Sequence, residues 1–254
     1  MKLHAEILGT GPALLIFHGL FGSGTNWRTL AKTVFANQFE THLIDQRNHG
    51  ESPHDDVFNY NALADDIIEY IKYNNISNPI ALGHSMGGKA LMQAAVTRPE
   101  LFKKIVIVDI APKAYDGSLR PIISALESLD MSAANRGELD KALAQKLPTA
   151  SLRAFLLKNA RRLPEGGFAW KVNLSAISKS YENINDTLDG EEPFMGPTLF
   201  IRGGKSDYIQ DADMELIHEY FPAAGLETVE GAGHWVHYEA PKPFVQAVSA
   251  FIED

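Results

Sequence analysis

Five short apolar runs, at residues 13–17, 41–44, 80–82, 105–108 and 198–201, are continuous rather than alternating. A strand that is hydrophobic at every position must be covered on both faces, which is the condition of a parallel sheet with helices above and below it. A sixth, less apolar strand is expected at 226–229, and an antiparallel edge strand at 3–8. Helical patterns fill the gaps. Residues 26–35 follow a Gly-rich turn, with Asn26 as the expected cap. Residues 60–73 place Leu63, Ile67, Ile68 and Ile71 on one face. Residues 86–97 follow the third core strand directly and stop before Pro99. Residues 241–252 start at Pro241, where a missing N–H costs nothing. This alternation predicts an α/β class with a mostly parallel central sheet flanked by helices.

One region breaks the pattern. Residues 112–193 hold no apolar strand run. They hold helical patterns at 121–129, 138–147, 151–161 and 174–182, and a short aromatic stretch, Phe168-Ala169-Trp170, after Gly166-Gly167. The expected organisation is a core made of 1–111 and 194–254, with 112–193 inserted as a helical cap after the strand that ends at Asp109. A chain of 254 residues buries about three quarters of its unfolded surface, enough to fold without metal or disulfide.

The strongest local signal is Gly83-His84-Ser85-Met86-Gly87-Gly88, which joins the third core strand to a helix. Glycines on both sides of a serine permit a turn too sharp for side chains, and such a turn lifts the serine hydroxyl above the sheet. The hydroxyl then sits at a helix N-terminus, whose partial positive charge favours an oxyanion. Ser85 is the candidate nucleophile, and the Met86 N–H one candidate oxyanion donor. The loop after the first core strand, Phe17-His18-Gly19-Leu20-Phe21-Gly22, supplies the second in this arrangement; the Leu20 N–H is the candidate. His18 reads as a structural hydrogen-bonding residue. Late in the chain, Gly231-Ala232-Gly233-His234-Trp235-Val236-His237 offers two histidines. His234, flanked by glycine, is favoured as the base, and His237 reads as a buried structural residue.

The acid has two candidates. Asp109 ends the fourth core strand, and Asp207 lies in Gly203-Gly204-Lys205-Ser206-Asp207-Tyr208. Either would orient the base and stabilise its cation. The usual acid follows the next strand, three residues after a glycine. Counted from Gly203 that place holds Ser206; counted from Gly204 it holds Asp207. The Tyr208-Ile209 pair fits the first count better, which favours Asp109.

Taken together, His18-Gly19-Leu20-Phe21-Gly22-Ser23, Asp45-Gln46-Arg47-Asn48-His49-Gly50-Glu51-Ser52, the Gly83–Lys89 stretch, Val108-Asp109-Ile110-Ala111-Pro112 and the Gly231–His237 stretch resemble YbfF-type bacterial esterases of the α/β-hydrolase superfamily. The resemblance runs through nearly the whole chain. It implies the α/β-hydrolase fold with a helical cap, and a serine esterase or thioesterase. The expected activity is that of a serine carboxylesterase acting on short to medium acyl esters through an acyl-enzyme. An acyl-CoA or other thioesterase, or a carbon–carbon bond hydrolase, would use the same triad. In this group the acid can sit at the position of Asp109.

Other classes fit less of the chain. Gly83–Lys89 matches a phosphate-cradling G-x-x-x-x-G-K, but the next residue is Ala90 where Mg²⁺ binding needs Ser or Thr. Nine histidines raise a metal hydrolase, with His234 and His237 three apart, yet no H-E-x-x-H is present. A non-catalytic small-molecule-binding protein of the same fold is the remaining alternative. A formal net charge of −9 disfavours nucleic acid and anionic membrane as partners. No cysteine is present, which removes thiolate chemistry and suits a reducing cytosol. The first residues lack an apolar signal region, and no run reaches the ~18 apolar residues of a membrane span. The expectations are a cytoplasmic enzyme, a small acyl ester as substrate, and no cofactor or metal. The cap is expected to roof the site, with most of Leu126, Leu129, Phe155, Leu156, Phe168 and Trp170 packing its own helices. Arg153, Lys158, Arg161 and Arg162 could meet a CoA phosphate, although such clusters usually form a solvated face.

Overall fold

The structure is a computed structural model that describes every residue except Ser118 and Glu191, both in the 112–193 segment, and Asp254. Among the described residues, seven strands form one sheet in the order β1 (Ala5–Leu8), β3 (Glu40–Ile44), β2 (Ala13–Phe17), β4 (Ile80–His84), β5 (Lys104–Val108), β8 (Thr198–Gly203), β9 (Ala224–Val229). β1 pairs antiparallel with β3 at one edge, and every other pairing is parallel.

The continuous apolar runs divide by alternate residues. Leu14 and Ile16 of β2, with Leu43, Leu82, Val106 and Val108, face a core that holds Trp27, Phe35, Phe244 and Val248. Leu15 and Phe17, with Ile44, Ala81, Ile105 and Ile107, face the opposite core. Successive strand side chains point to opposite faces, so only an unbroken apolar run satisfies both. Helices α1 (Arg28–Thr33) and α10 (Pro241–Glu253) cover the first face. Helices α2 (Tyr60–Tyr73), α3 (Met86–Thr97) and α8 (Met214–Tyr220) cover the second. None of the helices described is long and apolar enough to cross a membrane.

Two expectations are corrected. The helix expected over 26–35 with Asn26 as cap is a 3-10 turn, Gly24–Trp27, followed by α1. Asn26 sits inside that turn, and its Oδ1 accepts the Ser23 N–H at 2.7 Å. Ser23 therefore takes the capping position, because the asparagine reaches back rather than forward. The second correction concerns 112–193. It holds α4 (Arg120–Glu127), α5 (Arg136–Ala144), α6 (Ala150–Leu157) and α7 (Leu174–Lys179), but α6 stops short of residue 161. Ala160–Arg162 (β6) instead pairs antiparallel with Phe168–Trp170 (β7). Gly166 at φ 99° and Gly167 at φ 73° make the reversal, a conformation that costs glycine little.

Both legs of this segment meet one buried cation. Lys89 Nζ donates to the carbonyls of Lys113 and Asp186, at 2.7 Å each, and lies over the rings of Tyr60 and Tyr115. Burial pushes the Lys89 ammonium down to about 7. Thr187 adds a bond to the Pro112 carbonyl. Further along, Asn173 N donates to the Asn48 carbonyl, and Lys171 pairs with Glu51. The loop after β3 that receives them is itself fixed. Asp45 accepts Gly24 N and Glu51 N, and Arg47 grips Asp66 of α2 with two nitrogens.

Candidate active site

β4 ends at His84, and α3 begins at Met86, leaving Ser85 alone at the corner with φ 53° and ψ −122°. A serine pays for that backbone, and it persists only where its surroundings enforce it. Ser85 N donates to Val108 O, and Ser85 O accepts Lys89 N, both at 3.0 Å. The glycines make the approach possible. A Cβ on Gly83 would lie 2.4 Å from Gly87 O, and one on Gly87 2.5 Å from His18 O.

Asp109 follows β5 and is fully buried, also with a left-handed backbone (φ 52°). Its N–H donates to Ile201 O at 2.8 Å. Its carboxylate collects three donors: Gly203 N on Oδ1 at 2.9 Å, and Ser206 Oγ at 2.5 Å and His234 Nδ1 at 2.7 Å on Oδ2. With Nδ1 carrying its proton toward Asp109, the neutral ring leaves Nε2 as an acceptor. That nitrogen is 3.0 Å from Ser85 Oγ. A hydroxyl, an imidazole and a buried carboxylate thus form one hydrogen-bonded line, the arrangement that activates an alcohol as nucleophile.

His234 is held from several sides. Glu239 accepts Gly233 N at 2.8 Å and Trp235 N at 3.2 Å. His84 Nε2 donates to the His234 carbonyl at 2.8 Å. Tyr208 stacks on the His234 ring, with centroids 4.0 Å apart and an interplanar angle of 20°. Sequence reasoning missed these partners. Ser206 carried the clearest available signal, since it occupies the place counted from Gly203 for the usual acid. Its hydroxyl serves Asp109 instead. Asp207 is exposed and makes no hydrogen bond to His234 among the described residues. His237 is buried against Trp27, with stacked rings 4.0 Å apart, and burial pushes it down to about 3.

The turn after β2 lies over Ser85. A Cβ on Gly19 would come within 3.1 Å of Ser85 Cβ. Gly22 N closes the turn on Gly19 O at 2.9 Å. His18 works as a brace: Nδ1 donates to Gly19 O, and Nε2 accepts Gln46 N. Phe21 N donates to His49 Nε2 at 3.1 Å, and Phe21 O accepts Asn159 Nδ2 at 2.7 Å. The Leu20 N–H has no hydrogen-bond partner among the described residues, nor has that of Met86 at the first position of α3. Unpaired amides at these two places are what an oxyanion site requires.

Several residues of the rival readings have structural partners. Lys89 directs two of its three donors at the Lys113 and Asp186 carbonyls and lies over the Tyr60 and Tyr115 rings. Leu126, Leu156 and Phe168 are buried in the core, and Leu129, Phe155 and Trp170 pack against it. Arg153 pairs with Asp140, and Arg162 donates to Ala134 O.

The family model for the alpha/beta hydrolase fold matches residues 12–241. The sn-1-specific diacylglycerol lipase ABHD11 of Xenopus laevis is 38% identical over 252 residues, 96% of this chain and 80% of that protein. Esterase YbfF of Escherichia coli is 33% identical, covering 95% of this chain and 93% of the other. A solved marine microorganism esterase superposes with a TM-score of 0.96 at 42% identity, over 98% of this chain and 99% of that one. This chain belongs to the alpha/beta hydrolase fold family, as a hydrolase of the YbfF esterase type.

Proposed function

We propose that the protein is a serine carboxylesterase for short to medium acyl esters, working through Ser85, His234 and Asp109. The observation that carries the reading is the unbroken line from Ser85 Oγ through His234 to Asp109. As Ser85 attacks the ester carbonyl, His234 Nε2 takes its proton, and the N–H groups of Leu20 and Met86 hold the oxyanion. The imidazolium, steadied by Asp109, gives that proton to the departing alkoxide, and an acyl-serine remains. Water then attacks the acyl group, His234 takes its proton, and collapse returns the proton to Ser85 and frees the acid.

In this reading 1–111 and 194–254 form the catalytic core, and 112–193 is a cap that roofs it. Phe155 of α6 supports the second part, since it lies 5.8 Å from Trp235, the neighbour of the base. The lipase and esterase named above act on carboxylic esters by name, which is the bond class proposed here.

The test is Ser85→Ala assayed with p-nitrophenyl acetate. Loss of turnover with an unchanged melting temperature is expected; retained turnover would defeat the mechanism. A profile over acyl length, run on esters and thioesters, fixes the substrate range, with peak kcat/KM on short to medium esters expected.

A further inference from the structure

Phe21 stands at the corner of the turn that presents Leu20, with a left-handed backbone at φ 60°. A phenylalanine in that region is strained by roughly 1–2 kcal/mol and stays there only if something holds it. Two side chains do. His49, from the loop after β3, takes the Phe21 N–H. Asn159, from the 112–193 segment, donates to the Phe21 carbonyl.

Both holders are themselves fixed. His49 Nδ1 donates to Arg47 O at 2.9 Å, which leaves Nε2 free to accept. Asn159 is 5% exposed. It lies two residues beyond the end of α6, where its N–H bonds Leu156 O, and its carbonyl takes Lys171 N beside the ribbon. Packing does not do this work alone. A cavity of about 500 Å³ is lined by Phe21, Asn159 and Phe155 together with Ser23, Lys158 and Lys171, so the turn has open space beside it. The peptides around Phe21 are held by directed bonds, and the free Leu20 N–H one residue earlier depends on them.

We infer that Asn159 is a positioning residue through which the 112–193 segment sets the oxyanion donor of Leu20. The same stretch touches the other end of the reacting group, because Phe155 packs on Trp235 beside His234. α6 and the second residue beyond it thus contact the loop carrying the base and the turn carrying the donor. Docking of this segment completes the site rather than only covering it. The inference rests on the oxyanion reading given under the proposed function.

The experiment compares Asn159→Asp and Asn159→Ala with the unaltered protein, using a p-nitrophenyl ester and inhibition by phenylboronic acid, whose serine adduct is tetrahedral and carries the oxyanion charge. Deleting an oxyanion donor outright costs about 10²–10³ in kcat, and a displaced donor costs less. At pH 8, kcat falls about ten- to a hundredfold in both variants, KM stays within about threefold, and the boronate inhibition constant rises in step with the loss of kcat. As the pH is lowered from 8 to 5.5, the Asn159→Asp to unaltered kcat ratio climbs, since a protonated carboxyl again donates to the Phe21 carbonyl. The Asn159→Ala ratio stays flat. If the Asp variant does not fold, the joint loss of kcat and boronate affinity in Asn159→Ala carries the test. The inference is overturned if kcat and boronate affinity stay within about twofold, or if KM alone rises. Turnover by Ser85→Ala, or no boronate inhibition of the unaltered protein, would instead overturn the functional reading beneath it.

Discussion

β4 and β5 lie side by side, and each is followed at once by a residue with positive φ, Ser85 at 53° and Asp109 at 52°. The two corners are held by different means. At Ser85 the room comes from glycine on both sides, and the surroundings are uncharged imidazoles. His18 and His84 are buried beside it, and His237 touches His84 edge-on. At Asp109 no glycine flanks the corner. Its carboxylate is instead surrounded by donors from Gly203, Ser206 and His234. One corner is written in the residues that make it, the other in residues ninety and more positions further on. The first can therefore be read locally, and the second only once the sheet is assembled.

The largest effect should come from removing the charge at the second corner. Asp109→Asn keeps the shape but directs an amide N–H, or a poorer acceptor, at His234, and so favours the wrong tautomer. A loss of about 10⁴ in kcat is expected from steady-state kinetics, by analogy with the same change in a serine protease triad. A loss below tenfold would show that the acid lies elsewhere.

Next is the glycine corner. Gly83→Ala puts a methyl 2.4 Å from the Gly87 carbonyl oxygen, a backbone atom with nowhere to go. Overpacking of this kind costs about 2–3 kcal/mol. In a chain of this size that lowers Tm by about 5–10 °C, readable by calorimetry.

Acid should then separate the corners by titration. Burial holds His18 down to about 4, and His49 and His237 to about 3; His84 is driven down by burial and by the neighbouring histidines. The unfolded chain takes up these protons from about pH 6.5 downward, while the folded protein does not. Stability is therefore intact above pH 6.5 and falls as the pH drops toward those lowered values, by up to about 1.4 kcal/mol per pH unit for each ring. Urea unfolding at pH 7, 6 and 5 should show the midpoint falling, and His237→Phe should reduce the slope.

The smallest effects distinguish the two neighbours in the loop after β8. Ser206→Ala removes a hydrogen bond to a charged carboxylate, worth about 1.5–3 kcal/mol, so kcat should drop about ten- to a hundredfold. Asp207→Asn, on an exposed side chain, should leave kcat within about twofold. The reverse ranking would contradict the geometry.

This contrast also sets what the sequence could reveal. Five of the seven strands, β2, β3, β4, β5 and β8, were legible because two-faced burial demands unbroken apolar runs. The serine corner was legible through its glycines, and the base loop through Gly233 beside His234. The β6–β7 ribbon was not. Its strands are three residues each, too short for a period, and Ala160–Arg162 continues the helical pattern of α6. The Ser23 cap was missed because both Ser23 and Asn26 are good capping residues, and only the direction of one side chain decides between them. Tyr208, Glu239 and Asn159 act through contacts 26, 6 and 138 positions away in the chain, and nothing local marks them.

The buried ammonium of Lys89 has a consequence for how such a chain can change. It gathers the carbonyl of Lys113 and the carbonyl of Asp186 at one point on the first turn of α3, so the start and finish of a long excursion are moored together on the scaffold. Whatever is spliced between those moorings inherits the same anchorage. A lengthened or exchanged excursion that kept those two carbonyls would keep its hold on α3.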